Sequence, residues 1–85
     1  MYTVFSKPSC PHCEQAKALL ETRGLNFKVV HLDVGQPKMA GEMYISRDEL
    51  LAQFPGARTM PQIDRVVNGQ HEIVGGFAEL KKLIG

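Results

Sequence analysis

Apolar residues along this chain come in short runs, separated by Gly, Pro and polar clusters. Tyr2-Thr3-Val4-Phe5 is largely apolar and predicts a strand from Tyr2 to Ser6, buried on both faces. From Pro11 to about Arg23 the spacing turns helical. Ala16, Ala18, Leu19 and Leu20 supply the apolar stripe, and Glu14, Lys17, Glu21 and Arg23 face water. Gly24 is the natural stop. Phe27 to Leu32 is rich in β-branched residues and predicts a second strand. Strand, helix and strand within about thirty residues form a βαβ unit, so the two strands should be parallel and the crossover right-handed.

The segment Asp33 to Ile45 gives no clear element. Gly35, Pro37 and Gly41 break it, yet Met39, Met43, Tyr44 and Ile45 are not typical of a solvated loop. Some of them are expected to pack on the core or cover a site. Ser46-Arg47-Asp48-Glu49 has the form of a capping box and starts a second helix, with Leu50, Leu51 and Phe54 inward. Pro55-Gly56 ends it. Ile63 to Val67 predicts a strand, Asn68-Gly69 a tight hairpin turn, and Gln70 to Val74 the returning strand. Gly75-Gly76 permits unusual dihedrals and close backbone approach. Phe77 to Ile84 reads as a last helix with Phe77, Leu80, Leu83 and Ile84 buried. The order β-α-β-α-β-β-α predicts an α/β fold: a four-stranded mixed sheet, with a parallel pair and an antiparallel hairpin, flanked by three helices.

Composition narrows the function classes. Eighty-five residues make one small domain, 1–85. A hydrophobic share of 44% with 22% charged residues suits a soluble globular protein. The formal net charge of +1 offers no field for nucleic acid or membrane partners. No signal peptide pattern and no apolar run of membrane-spanning length is visible. A cytoplasmic monomer is therefore expected.

Both cysteines sit in Cys10-Pro11-His12-Cys13, between the first strand and the first helix. A Cys-x-x-Cys at that junction is a redox arrangement. Unpaired N–H groups and a partial positive charge at the helix N-terminus favour a thiolate. The thiolate is the attacking species in thiol–disulfide exchange. Cys10 would sit at the exposed mouth of the helix, with Cys13 a turn further in. Pro11 suits the first turn, where its missing N–H is harmless. Two plainer readings stand beside this one. The pair could be half of a zinc site, but His12, His31 and His71 are scattered and a closed structural site needs four ligands. It could be a structural disulfide, but so short a loop constrains the unfolded chain little. Lys7 is either an ordinary solvated lysine or a charge that supports the thiolate or an anionic substrate.

Taken together, Lys7-x-x-Cys10-Pro11-His12-Cys13, Thr59-Met60-Pro61-Gln62, Gly75-Gly76-Phe77 and the element order resemble a glutaredoxin of the thioredoxin superfamily, of the short bacterial or phage dithiol type. The resemblance spans nearly the whole chain. It implies a thioredoxin-like fold and a glutathione-dependent reduction of protein disulfides and glutathione mixed disulfides. Cys10 would be the nucleophile and Cys13 the resolving thiol. Pro61 would be a cis-proline facing the dithiol, leaving the Met60 backbone free to pair with an extended peptide. Lys7, Cys10, His12, Thr59, Met60, Pro61, Gly75, Gly76, Phe77 and Ala78 would contact glutathione. Among these, the N–H groups of Phe77 and Ala78 would meet the γ-glutamyl carboxylate and Lys7 the glycyl carboxylate. No metal and no permanently bound cofactor is implied, only glutathione as reductant. The partners would be glutathione and disulfide-bearing client proteins, ribonucleotide reductase by analogy.

Three features depart from the family pattern. His12 stands where tyrosine is common, Ala78 stands where Asp or Thr is usual, and Asp33 to Ile45 matches no motif. His12 is expected to reach the Cys10 sulfur and stabilise its thiolate. The rival readings are a redoxin driven by thioredoxin reductase, an oxidant that forms disulfides, and a module holding an iron–sulfur cluster between two copies.

Overall fold

The run Tyr2–Ser6 forms β1, and every one of its residues is buried, as befits the centre of a sheet covered on both faces. The computed structural model describes residues 1–85. β1 pairs in parallel with β2 (Phe27–Leu32), and antiparallel with β4 (Gln62–Val67) on its other side. β4 turns back through Asn68-Gly69 into β5 (Gln70–Gly75). Asn68 and Gly69 both have positive φ, 52° and 78°, the signature of a tight type I′ turn.

The sheet has five strands, one more than the four expected. The addition is β3 (Met43–Ile45), which lies parallel to β2 at the sheet edge and completes the order β3-β2-β1-β4-β5. Three residues are too few to show a period of two, so the strand had no signal of its own. Its partner decides it: Val30, His31 and Leu32 of β2 pair with Met43, Tyr44 and Ile45. Ile45 enters the core, whereas Met39 and Met43 remain exposed.

Helices α1 (Pro11–Thr22) and α3 (Phe77–Ile84) cover one face of the sheet. Ala16, Leu20 and Leu80 meet Tyr2, Val4 and Ile63 there. The short helix α2 (Arg47–Gln53) covers part of the other face, where Leu50 and Phe54 pack on Phe5, Leu32 and Ile45. Phe5 and Phe54 meet edge to face with ring centres 5.2 Å apart. Two expected core positions lie outside. Ala18 is exposed because the buried set of α1 is Cys13, Ala16 and Leu20, which places position 18 on the opposite side. Leu83 is exposed because the face of α3 that meets the core carries Leu80, with Phe77 and Ile84 half-buried beside it.

The helix ends follow local chemistry. After α1, Gly24 (φ 67°) lets Leu25 and Gly24 donate to Leu20 and Glu21 carbonyls, a Schellman closure. At α2 the Ser46 hydroxyl accepts from the Glu49 N–H and the Glu49 carboxylate accepts from the Ser46 N–H, each at 3.1 Å. Those Ser46 hydrogen bonds hold the Glu49 carboxyl below its ordinary value of 4.5. Lys38 first, then the Gly35 N–H, lower Asp33 from 3.8. Both folded values are depressed, so their stabilisation is fully present above the ordinary carboxylate range. It is lost as pH falls through the lowered values. Hydrogen exchange across an acid titration should therefore show the 33–38 loop and the start of α2 loosening before the central strands. Glu49→Gln should remove the α2 part of that response.

Candidate active site

Ser9 has φ 55°, a left-handed turn that swings the loop after β1 into α1. Cys10 follows as the N-cap of α1 in an extended conformation. Its sulfur accepts a hydrogen bond from the Cys13 N–H at 3.3 Å, the task a serine or aspartate oxygen performs at other helices. Pro11 occupies the first helical position. Cys10 and Cys13 are joined in a disulfide, with Cα atoms 5.3 Å apart. Both sulfur-bearing residues are largely covered, contrary to the exposed Cys10 expected. The difference between them remains: Cys10 is 8% exposed and Cys13 only 1%. On reduction, charge on the Cys10 sulfur is met by the Cys13 N–H and by the end of the helix.

The loop before β4 closes over this pair. The Met60–Pro61 peptide is cis, and the Met60 carbonyl oxygen lies 3.6 Å from the Cys10 sulfur. In the disulfide that sulfur has no proton to donate, so this is a packing contact. The Gln62 amide donates to the Thr59 carbonyl at 2.7 Å and fixes the turn. Pro61 is fully buried.

A groove of about 260 Å³ runs from this loop to α3. Its walls are His12 from α1, Thr59, Met60 and Pro61 from the loop, and Gly76, Phe77, Ala78 and Glu79 from the last helix. The fold thus gathers seven of the ten expected glutathione contacts in one depression. Gly75 stands behind it with φ 114°, a conformation that side chains rarely adopt. Gly76 is the N-cap of α3, and the Glu79 carboxylate accepts its N–H at 2.7 Å. Glycine has no side chain to return the favour, so this is half of a capping box. The N–H groups of Phe77 and Ala78 belong to the open first turn.

Two expectations shift. The His12 imidazole makes no hydrogen bond to Cys10. It lies nearly parallel to the Phe77 ring, 14° between planes and 5.9 Å between centres. The sulfur is served by backbone instead, and the imidazole becomes a wall of the groove. Lys7 lies outside the groove, in a recess of about 170 Å³ on the other side of Thr59 and Met60. Arg47 and Arg58 line that recess with it, over an apolar floor that includes Leu32 and Leu50. The sequence reading missed Arg47 and Arg58. Arg58 is adjacent to Thr59-Met60-Pro61, a signal that was available. Arg47 had none, being thirteen residues from that motif's Met60 and brought near only by packing. No group of three or more His, Cys, Asp or Glu side chains lies close enough to hold a metal ion. No helix is long and apolar enough to cross a membrane.

A sequence model of the glutaredoxin family matches residues 2–72. The chain belongs to the glutaredoxin family. It is 32% identical to glutaredoxin 3 of Escherichia coli over 80 residues, which are 94% of this chain and 81% of that protein. It is 36% identical over 80 residues to the mitochondrial glutaredoxin-2 of Rattus norvegicus, again 94% of this chain but only 45% of the rat protein. Among solved structures, glutaredoxin 1 of Francisella tularensis complexed with cacodylate superposes with a TM-score of 0.62 at 21% identity, covering 95% of this chain and 87% of that one. The NrdH-redoxin of E. coli superposes with a TM-score of 0.51 at 18% identity, covering 96% and 92%. These likenesses show the thioredoxin-like fold. Family and disulfide together support thiol–disulfide oxidoreductase chemistry in this chain.

Proposed function

We propose that this glutaredoxin is a glutathione-dependent dithiol oxidoreductase that reduces protein disulfides and glutathione mixed disulfides. The observation behind this reading is the single depression that runs from His12 and the Met60–Pro61 loop, whose Met60 carbonyl packs on the Cys10 sulfur, to the open first turn of α3. In it, a tripeptide can lie along Met60 with its γ-glutamyl carboxylate on the Phe77 and Ala78 N–H groups. The glycyl carboxylate then points across Thr59 toward Lys7 and Arg58.

The chemistry balances as two thiol exchanges. The Cys10 thiolate attacks one sulfur of a client disulfide, forms a mixed disulfide and releases the first client thiolate. The Cys13 thiolate attacks the Cys10 sulfur, releases the second client thiolate and leaves the Cys10–Cys13 disulfide. A glutathione thiolate opens that disulfide at Cys10, and Cys13 takes up a proton. A second glutathione attacks the glutathione sulfur, so oxidised glutathione leaves and the dithiol is restored. Disulfide-bearing proteins are the clients, with ribonucleotide reductase the natural acceptor to test first.

A second reading takes electrons from thioredoxin reductase. It is prompted by the likeness to the NrdH-redoxin of E. coli, a glutaredoxin-like protein with a thioredoxin-like activity profile. An assay supplying glutathione with glutathione reductase, beside one supplying thioredoxin reductase, decides between the donors. Turnover with glutathione alone is expected; turnover with thioredoxin reductase alone would replace the proposal. Lys7→Ala and Arg58→Ala are each expected to raise KM for glutathione by up to about fivefold, since exposed ion pairs contribute roughly 0–1 kcal/mol. No change in the double variant would move the glycyl carboxylate elsewhere.

A further inference from the structure

Lys7, Arg47 and Arg58 come from three separate parts of the chain and meet around one recess. Lys7 follows β1, Arg47 opens α2, and Arg58 precedes the Thr59–Met60 turn. None of the three enters a salt bridge, whereas Lys17, Lys38 and Arg65 each hold a carboxylate. No carboxylate lines the recess. Glu49 is engaged in its capping box and Asp33 on Lys38. On a chain of formal net charge +1, three unpaired cations around one opening make a concentrated positive patch.

The floor between the cations is apolar. Leu32 and Leu50 form its buried base, Leu51 is half-buried, and Val34 stands 57% exposed at the rim. The volume is about 170 Å³. An apolar cavity of about 150 Å³ takes up benzene, so one Leu or Phe side chain suits this space. A small anion alone would leave the floor wet. Thr59 and Met60 line both this recess and the groove beside the redox pair. The Met60 carbonyl packs on the Cys10 sulfur, and none of the turn and loop hydrogen bonds uses the Met60 N–H. A client segment extended along Met60, with its cysteine at Cys10, therefore carries its neighbouring residues to the recess. At about 3.3 Å per residue, two or three residues cover the length of one such side chain and its surroundings.

We propose that this recess selects clients: it docks the segment beside the reactive cysteine of a client protein, with one Leu- or Phe-sized side chain on the Leu32–Leu50 floor and a flanking carboxylate on Arg47 and its two neighbouring cations. The inference rests on the dithiol reduction of protein disulfides proposed above. The apolar side chain supplies burial, and the carboxylate finds unpaired donors of which Arg47 and Arg58 offer a planar fork. Glutathione needs only the Lys7 and Arg58 edge, and it arrives after the client has left, so the two occupants alternate.

The test uses the full chain, reduced and freed of glutathione, in a single turnover. The substrate is the disulfide-linked dimer of acetyl-Glu-Leu-Gly-Cys-Gly-Leu-Glu-amide, whose symmetry allows either chain direction. The dithiol becomes the Cys10–Cys13 disulfide, and two peptide thiols are released and counted. Counterpart dimers carry Gln for Glu, or Ser for Leu, and reduction of each by dithiothreitol is the reference. Relative to that reference, the Glu dimer should react about tenfold faster than the Gln dimer at about 20 mM salt, with the gap shrinking at about 0.5 M. Serine for leucine should slow the reaction by about fivefold. Arg47→Glu should erase the preference for Glu while leaving the rate with the Gln dimer unchanged, and Arg47→Lys should retain the preference. Equal rates for the Glu and Gln dimers, or a full preference in Arg47→Glu, would overturn the proposal. So would an unslowed Ser dimer. Inorganic phosphate that erased the preference at constant ionic strength would give the recess to a small anion instead. A reduced chain that left every dimer oxidised would sink the dithiol reading itself, whereas equal rates sink only the client recess.

Discussion

Cys10→Ser is expected to lose thiol transfer to every substrate by at least about a thousandfold, whereas Cys13→Ser keeps it toward glutathione mixed disulfides and loses it toward protein disulfides. The asymmetry comes from the two positions. The Cys10 sulfur caps α1 and accepts the Cys13 N–H, which stabilises its charge, and Cys10 as a residue keeps 8% exposure, more than Cys13. Cys13 is 1% exposed and sits inside the first turn, where only Cys10 can be its partner. A serine oxygen in place of Cys10 can still cap the helix, so the fold should survive while the chemistry goes. In Cys13→Ser, a mixed disulfide of Cys10 with glutathione needs only a second glutathione to resolve it. A protein mixed disulfide has lost its internal resolving thiol and should accumulate as a covalent complex on a non-reducing gel. If Cys13→Ser were as inert toward small mixed disulfides as Cys10→Ser, the two roles would be wrongly assigned.

Gly75→Ala should destabilise the protein by about 1–3 kcal/mol and raise KM for glutathione by about tenfold or more, with kcat affected less. Two physical effects coincide. At φ 114° a side chain is strained whatever the space around it. The added Cβ would also stand 2.9 Å from both Cγ and Oε1 of Glu79. Glu79 must then leave the Gly76 N–H that it accepts at 2.7 Å, and the first turn of α3 loses its shape. That turn offers the N–H groups proposed to hold the γ-glutamyl carboxylate. Gly76→Ala is the internal control. Its φ of −92° is ordinary, and its nearest clash is 3.2 Å from the movable end of Glu79. It should be the milder of the two in urea unfolding and in KM. A Gly75→Ala protein with unchanged KM would separate the glycine pair from glutathione binding.

Much of this molecule was legible before folding, where the deciding interactions are local. Cys10-Pro11-His12-Cys13 between strand and helix already implied redox chemistry, because a helix start supplies donors wherever it occurs. Ser46 and Glu49 specified their own capping box, and Asn68-Gly69 its own hairpin turn. Positions brought together from afar were not legible. The edge strand β3 exists because β2 offers it hydrogen bonds, and three residues hold no periodicity to announce that. His12 was assigned to the sulfur on sequence proximity, yet the ring settled on Phe77, sixty-five residues away, where an aromatic face was free. Arg47 and Arg58 reach the Lys7 recess only through the packing of α2 and the loop before Thr59. Asp64 looked like one charge among many until the sheet buried it and left an oxygen without a partner. By itself the sequence determined the redox pair, the caps, the turns and the family, since each depends on neighbours a few residues apart. Only the tertiary structure decided the fifth strand, the walls of the groove and the buried carboxylate, because those depend on which distant side chains share the same space.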